Sequence, residues 1–194
     1  MNLPIVPPSE RTDQWLFLAR HVGLPTRLLD WTEGALVALY FALRTKPKGE
    51  QPPVVWMLNP HALNKLSEGR SKTQVHPNDP TLTWPPKLED GTVNLYFLNI
   101  AGAWELDQVG TEYPIAIYPT NIHPRMSAQH SCFTIHGKDK RALSKMVGTD
   151  CLHRYDVEAM DRAKALLQLR RLGIAEAGLY PEAEGLAREL EMFF

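Results

Sequence analysis

The twelve residues from His21 to Thr32, HVGLPTRLLDWT, place a histidine, an arginine, an aspartate and a tryptophan between two segments with helical patterns. Because Arg27 precedes the second helix, its guanidinium and the open helix N-terminus would both favour a phosphate group there. The same residues also have a structural interpretation, in which His21 ends one helix, Asp30 caps the next, and Arg27 pairs with Asp30. Their spacing leaves both interpretations open.

The first of the two helices is predicted over TDQWLFLARHVGLP, which begins at Thr12. Thr12 or Asp13 can cap its start, since short polar side chains accept hydrogen bonds from the first free backbone N–H groups. Gly23 and Pro25 are typical stop signals, so the helix is expected to end at Val22 or Gly23.

The second helix is predicted to begin close to Asp30. Asp30 followed by Glu33 fits a capping box, and Thr32 is an alternative cap one register further on. The body of the helix, residues 35–43 (ALVALYFAL), is apolar on all sides and too short to cross a bilayer. We therefore expect it to be a buried central helix.

The remaining sequence predicts strands and further helices. Strand candidates rich in aromatic and β-branched residues cover 52–59, 93–100, 113–120 and 127–137. Helices are predicted over 60–66, 139–146, 156–173 and 181–194. Because helices come first, most strands follow and helices come last, the order predicts the α+β class: small, mostly antiparallel sheets, with N-terminal and C-terminal helices around the central helix.

The length of 194 residues predicts a single domain over 1–194. Within it, residues 1–11 are Pro-rich and expected to be extended, and residues 68–92 form a long Pro-rich loop of a kind common in lids and binding loops. The net charge of -1 does not indicate a nucleic-acid partner. The sequence has no membrane-spanning run and no signal peptide, and its two cysteines have no metal-type spacing, so we expect a cytoplasmic protein with free thiols.

Metal binding is not predicted. His130 and His136 fall on one presumed strand, but the seven histidines have no ligand spacing. The sequence also has no Gly-rich phosphate loop and no nucleophile elbow.

The stretch from His21 to Arg44, HVGLPTRLLDWTEGALVALYFALR, closely resembles the signature of the FRG family. Later segments, PVVWMLNP (53–60), SCFTIHG (131–137) and LYPEAEGLARE (179–189), also resemble blocks of that family. The resemblance implies a defence or toxin context and a distant kinship with ADP-ribosyltransferase-like folds. In those folds an arginine or histidine holds a dinucleotide in a cleft, and a later Glu or Gln contacts the nicotinamide ribose.

The implied function is a cleft for an anionic, nucleotide-like ligand, with ADP-ribosyl transfer or NAD cleavage as its activity. NAD would be a substrate, and no cofactor is assigned. The candidate catalytic residues that follow are His21, Arg27, Asp30 and Gln129, of which Gln129 is chosen for its chemistry alone. The candidate ligand-binding residues are Gly23, Thr26, Trp31 and Thr32.

The sequence departs from the family pattern upstream of His21. An aromatic-Arg-Gly motif is expected there, but Phe17 is followed by Leu18 and Ala19. This departure favours an alternative from a different class: a non-catalytic binding or sensor module that acts through a protein partner, with the signature segment as a structural brace.

Overall fold

The computed structural model describes residues 6–9, 11–45, 52–68, 113–119, 123–137, 139–157 and 161–191. The predicted strand over 93–100 and nearly all of the predicted 68–92 loop lie outside these residues. The chain divides into two compact units. The first comprises Met1–Asp30, Leu58–Ile122 and Cys132–Leu152, and the second comprises Trp31–Met57, His123–Ser131 and His153–Phe194. The single domain over 1–194 stays a prediction.

The described residues form α-helices and short strands, which confirms the α+β class. The helices are α1 (Thr12–His21), α2 (Ala35–Arg44), α3 (Pro60–Glu68), α4 (Pro124–Ala128), α5 (Arg162–Arg171), α6 (Glu176–Leu179) and α7 (Ala183–Leu190), with a 3₁₀ turn at Leu143–Lys145. The strands are β1 (Leu28–Thr32), β2 (Val54–Leu58), β3 (Ile115–Ile117), β4 (Ser131–Ile135) and β5 (Leu152–Asp156). No helix in the described ranges is long and apolar enough to cross a membrane.

The strands form two small antiparallel sheets. One has the order β1-β4-β3, and the other pairs β2 with β5. In the first, β3 runs antiparallel to β4, with Ile115 opposite Ile135. Hydrogen bonds from His136 N–H to the Arg27 carbonyl and from Glu33 N–H to the His130 carbonyl give β1 and β4 the antiparallel register as well.

The core of the first unit lies between α1 and its sheet. Phe17 is fully buried, and its ring centroid lies 5.2 Å from that of Phe133 on β4. The buried Asn64 on α3 acts like a strand partner for Ala116 on β3: its side-chain oxygen accepts from Ala116 N–H at 2.8 Å, and its amide donates to the Ala116 carbonyl at 3.1 Å. Among the described strands only β4 pairs with β3, and the bonds to Asn64 satisfy the backbone groups of Ala116.

The core of the second unit is built on α2. Its buried residues Val37, Tyr40 and Leu43 follow a three-residue spacing, so one face of the helix packs against buried side chains of α5 and α6. The first turn is less enclosed, and Leu36 is 43% exposed. Helix α2, which the sequence predicts to be a buried central helix, is therefore most deeply buried along one face.

The predicted caps of the first two helices are wrong. Helix α1 is preceded by Arg11, whose side chain binds the Asp13 carboxylate at 2.8 and 2.9 Å, so that carboxylate is engaged by a guanidinium. Asp30 lies inside β1 and caps no helix. The N-cap of α2 is Gly34, without a side-chain cap. Pairing with β4 extends residues 28–32, and this tertiary interaction overrides the local capping pattern.

The predicted strand over 127–137 is partly wrong, because α4 runs to Ala128 and only 131–135 form β4. His130 adopts a left-handed φ of 47° at the turn between them. The predicted helix over 139–146 is reduced to the 3₁₀ turn at 143–145. The predicted helix over 156–173 begins only at 162, where Asp161 caps it, and Gly173 ends it with a φ of 86° as expected.

Candidate ligand-binding site

The second unit contains a cavity of about 290 Å³. Four helices or their adjoining turns contribute to its wall, and charged side chains dominate its polar part. The lining residues are Tyr40, Arg44, Arg162, Leu166, Arg170, Ile174, Ala175, Glu176 and Glu189.

Regular helical spacing places these side chains. Arg162, Leu166 and Arg170 follow each other at intervals of four along α5, so they lie on one face of that helix. Tyr40 and Arg44 have the same spacing on α2. The two helices pack through their buried residues, and this packing fixes the position of the charged side chains on the cavity wall.

Glu176 is the most buried charged group of the site, with 1% of its side chain exposed. One carboxylate oxygen, Oε1, accepts from Arg44 Nη2 at 2.7 Å and from Arg188 Nε at 2.8 Å, while Oε2 accepts from the Tyr40 hydroxyl. Burial alone would raise the pKa of Glu176, but these hydrogen bonds and the two guanidinium charges outweigh it and lower the pKa. Glu176 is therefore ionised at neutral pH.

The hydroxyl of Tyr40 stays protonated. Its burial raises the pKa, as do the hydrogen bond to Glu176 and the negative charge of that carboxylate. The hydroxyl proton is engaged by Glu176, so Tyr40 serves the site as a fixed donor.

Tyr180 is the aromatic centre of the same cluster. Its ring lies within 4.4 to 4.9 Å of the guanidinium carbons of Arg44, Arg125 and Arg188, and its hydroxyl accepts from Arg44 Nη1 at 2.8 Å. Cations near an aromatic face are attracted by its quadrupole, so the ring helps to hold several like charges close together.

Arg162 and Arg170 complete the basic wall. Arg162 donates from Nε to the Leu43 carbonyl and from Nη2 to the Arg44 carbonyl at 2.6 Å, so it binds the free carbonyls at the C-terminal end of α2. Arg170 forms an ion pair with Glu189 at 3.1 Å. The other carboxylate oxygen of Glu189 accepts from Ala177 N–H at 2.7 Å.

The charges of this cluster do not cancel. Three arginines and two glutamates line the cavity, and Arg188 approaches Glu176 as a fourth arginine. The lining side chains alone leave one positive charge, three arginines against two glutamates, and the aliphatic side chains of Leu166 and Ile174 line the same cavity. Such a site can bind a small anion that also carries an apolar part.

Comparison with known families finds one match, in the N-terminal part of the chain. Residues 4–51 match the family model of the FRG domain. This match confirms the FRG prediction for residues 4–51, the FRG segment, which is about a quarter of the chain. It includes Tyr40 and Arg44 of the cavity. No curated protein and no solved structure matches the chain.

Five of the predicted site residues of the FRG segment lie in the first unit. His21 is the half-buried last residue of α1, and Gly23 follows that helix with a φ of 87°. The Thr26 hydroxyl accepts from Leu28 N–H at 3.3 Å. Arg27 and Asp30 complete this group, on either side of the start of β1.

The side chain of Arg27 donates to the Gly137 carbonyl at 2.9 Å, and its backbone carbonyl accepts from His136 N–H. Both bonds hold the end of β4. Asp30 is 52% exposed and pairs with Arg20, whose Nε lies 2.8 Å from it. A guanidinium from α1 thus provides the partner of Asp30.

The other predicted residues lie in the second unit. The Thr32 hydroxyl donates to the Gln129 carbonyl at 2.7 Å and accepts from Gly34 N–H at 3.0 Å. Gln129 is the residue after α4, where a strand was expected, and its side-chain amide donates to the Leu179 carbonyl at 3.0 Å. Thr32 and Gln129 are therefore brought together, next to the end of α6. Trp31 is half-buried.

The cavity was not predicted from the sequence. A usable signal was present on α2, where Tyr40 and Arg44 lie four residues apart in an otherwise apolar segment. Polar groups on a buried face need partners, so this pair predicts complementary groups elsewhere in the chain. The segment LYPEAEGLARE, which contains Tyr180, Arg188 and Glu189, predicts a helix from Pro181 and resembles a family block, and neither property indicates a cavity.

Proposed function

We propose that the chain binds a small phosphate-bearing ligand in the cavity of the second unit. The observation that carries the proposal is that Arg44, Arg162 and Arg170 all line one cavity. Guanidinium groups bind phosphate oxygens with paired, charge-assisted hydrogen bonds. The proposed ligand is anionic and nucleotide-like, as the FRG resemblance implies. The residues that would bind it differ from those predicted from the sequence.

The arginines retain binding capacity. A guanidinium has five N–H donors, and Arg162 uses Nε and Nη2 to bind the carbonyls of α2. Among the residues that the structure describes, Nη1 of Arg162 donates no hydrogen bond, and neither does Nε of Arg44. A phosphate that reached these donors would leave the bonds to Glu176 and to α2 in place.

Binding is better supported than catalysis. Both carboxylates that line the cavity are already engaged: Glu176 accepts hydrogen bonds from a phenol and two guanidinium groups, and Glu189 pairs with Arg170 and accepts from Ala177 N–H. A carboxylate engaged in this way is a weak base and a weak nucleophile, because its charged form is stabilised. The cavity therefore favours recognition of a ligand over cleavage of one.

Ligand titration tests the proposal. Isothermal titration with adenosine monophosphate (AMP) is expected to give saturable binding, and Arg170→Gln is expected to weaken it about tenfold or more, the effect of losing a hydrogen bond to a charged group. Arg171→Gln is the matched control, because Arg171 is the next residue of α5, carries the same charge and is exposed outside the cavity lining. Equal affinities of both variants and the unmodified chain would refute the proposal.

The catalytic roles of His21, Arg27, Asp30 and Gln129 in NAD cleavage stay a prediction, and NAD consumption by the purified chain tests them. Loss of activity in His21→Ala and Arg27→Ala, with folding retained, would support these roles. The absence of NAD consumption, or activity unchanged in both variants, would rule them out.

A non-catalytic module with the signature segment as a brace is the second candidate. It is favoured by the bonds that Arg27 makes at the end of β4 with its guanidinium and its carbonyl. Under this proposal Arg27→Ala lowers the stability of the chain and leaves ligand binding in the second unit unchanged. A loss of AMP binding in a folded Arg27→Ala variant would argue against it.

A further inference from the structure

We infer that Glu189 competes with the proposed ligand for Arg170, so that the cavity of the second unit contains its own inhibitory carboxylate. The inference rests on the proposed function, because a phosphate would have to gain one of the three arginines that line the cavity from this carboxylate. It follows from the position of Glu189, the hydrogen bonding of Arg170 and the difference between the two glutamates of the lining.

The carboxylate of Glu189 lies where an incoming anion would meet Arg170. Both residues line the cavity, and Oε1 of Glu189 lies 3.1 Å from Nη2 of Arg170. The other oxygen, Oε2, accepts from Ala177 N–H at 2.7 Å. This N–H belongs to the first turn of α6, where backbone donors have no partner within the helix. The second contact therefore holds the carboxylate beside the guanidinium.

Arg170 differs from the other two arginines of the lining in the N–H groups that it has to offer. Among the residues that the structure describes, Nε of Arg44 and Nη1 of Arg162 donate no hydrogen bond. Arg170 is paired with a carboxylate and takes part in at least one further interaction. A phosphate can bind the first two arginines by adding contacts, whereas at Arg170 it competes with a negative charge that is already in place.

Of the two glutamates in the lining, Glu189 is the one that can give way. Glu176 accepts from three side chains and has 1% of its own side chain exposed, so its release would strand a buried charge. In the other pair, 42% of the Arg170 side chain and 14% of the Glu189 side chain are exposed. When Oε1 leaves Arg170, Ala177 N–H still binds Oε2. Ligand binding therefore breaks the pair of Arg170 with Glu189 and leaves Glu176 in place.

The exchange links ligand binding to α7, the helix that carries Glu189. The free energy that a phosphate gains at Arg170 is reduced by the free energy of the ion pair that it breaks. Such a coupling is reciprocal: if the pair weakens ligand binding, then bound ligand weakens the contact between α5 and α7 by the same factor.

Isothermal titration of the full chain with AMP tests the competition through Glu189→Gln. The amide oxygen of glutamine can still accept from Ala177 N–H, while the charge that pairs with Arg170 is removed. The substitution is expected to raise the affinity for AMP by about threefold or more, because the ligand no longer breaks an ion pair. Glu184→Gln is the matched control, since Glu184 is exposed on the same helix outside the lining, and it is expected to leave the affinity unchanged.

A double-mutant cycle separates competition for Arg170 from the general effect of a negative charge. In a chain that carries Arg170→Gln, the substitution Glu189→Gln frees no guanidinium, so it is expected to change the affinity by about 1.5-fold or less. The electrostatic field of the carboxylate would act on the ligand with or without Arg170. Circular dichroism verifies that each variant is folded.

The possible failures are distinguishable. If Glu189→Gln raises the affinity equally with and without Arg170, or does not raise it at all, the inference is overturned. The proposed function then stands, provided that Arg170→Gln alone weakens AMP binding. If AMP does not bind, or Arg170→Gln has no effect on its affinity, both the inference and the proposed function are overturned.

Discussion

Replacing Glu176 with glutamine tests the energetics of the cluster most directly. Glutamine keeps the volume of the side chain and removes its charge. The new amide places a donor group where Arg44 and Arg188 also present donors, and it leaves a single side-chain oxygen for these arginines and Tyr40 to share. The substitution therefore leaves buried or half-buried donors without acceptors.

The expected loss of stability can be bounded. Removing one partner of a fully buried ion pair costs about 3–5 kcal/mol. Arg44 and Arg188 keep 32% and 42% of their side chains exposed, so water can solvate part of the charge that is left behind. We therefore expect Glu176→Gln to lower the free energy of unfolding by about 2–3 kcal/mol, below the value for a fully buried pair.

Urea unfolding followed by circular dichroism measures this loss. Glu191→Gln is the matched control, because Glu191 is exposed at the end of α7, and its change is expected to stay within about 0.5 kcal/mol. If Glu176→Gln also stays within that margin, the carboxylate does not hold the cluster together, and the reasoning from its burial is refuted.

The lowered pKa of Glu176 adds a dependence on pH. Between its folded and unfolded pKa values, the unfolded chain binds more protons, so stability falls as the pH falls. The contribution of Glu176 is present above the ordinary glutamate pKa of about 4.3 and is lost as the pH drops through the lower folded value. The difference in stability between the unmodified chain and Glu176→Gln should therefore shrink in acid. A difference that stays constant down to about pH 3 would contradict this.

Two further substitutions test the packing of each unit. Gly185→Ala is expected to destabilise the chain by about 1–3 kcal/mol, because the added Cβ would lie 1.9 Å from the backbone oxygen of Tyr180. Gly178→Ala, whose Cβ would make an ordinary contact at 3.7 Å, is the control in the same thermal unfolding assay. Asn64→Leu is expected to cost about 2–5 kcal/mol in urea unfolding, since it strands both backbone groups of Ala116. A cost below about 1 kcal/mol would mean that the edge of β3 finds other partners.

The sequence predicted the elements with strong local patterns. Helix α1, strand β2 and helix α3 lie where periodicity, β-branched residues and Pro60 placed them. Prediction from the sequence failed where hydrogen bonds between strands that are distant in the chain decide the conformation. Asp30 has the local pattern of a helix cap and lies in β1, because β4 pairs with it. Strand β5, LHRYD, has no strong apolar pattern and forms by pairing with β2.

The candidate site was less predictable for the same reason. Glu176 lies in the segment AEAGL, which reads as an ordinary exposed turn of helix. It is buried because Tyr40 and Arg44, more than 130 residues earlier in the chain, supply its hydrogen bonds. A single sequence contains no signal for that pairing. The polar pair on an apolar helix indicated only that partners must exist.

Stability and ligand binding are expected to respond differently at two positions of the site, because the side chain of Arg170 is half-exposed and that of Glu176 is buried. Arg170 is 42% exposed, and its partner Glu189 keeps the hydrogen bond from Ala177 N–H, so Arg170→Gln should lower AMP affinity with a smaller loss of stability than Glu176→Gln. Glu176→Gln should do the opposite: it destabilises the unit and leaves more positive charge for the anion, so AMP affinity is kept or increased in the folded fraction. Parallel titration and urea unfolding of both variants test this separation. If the two variants lose affinity and stability in the same proportion, the cavity would be part of the core and not a binding site.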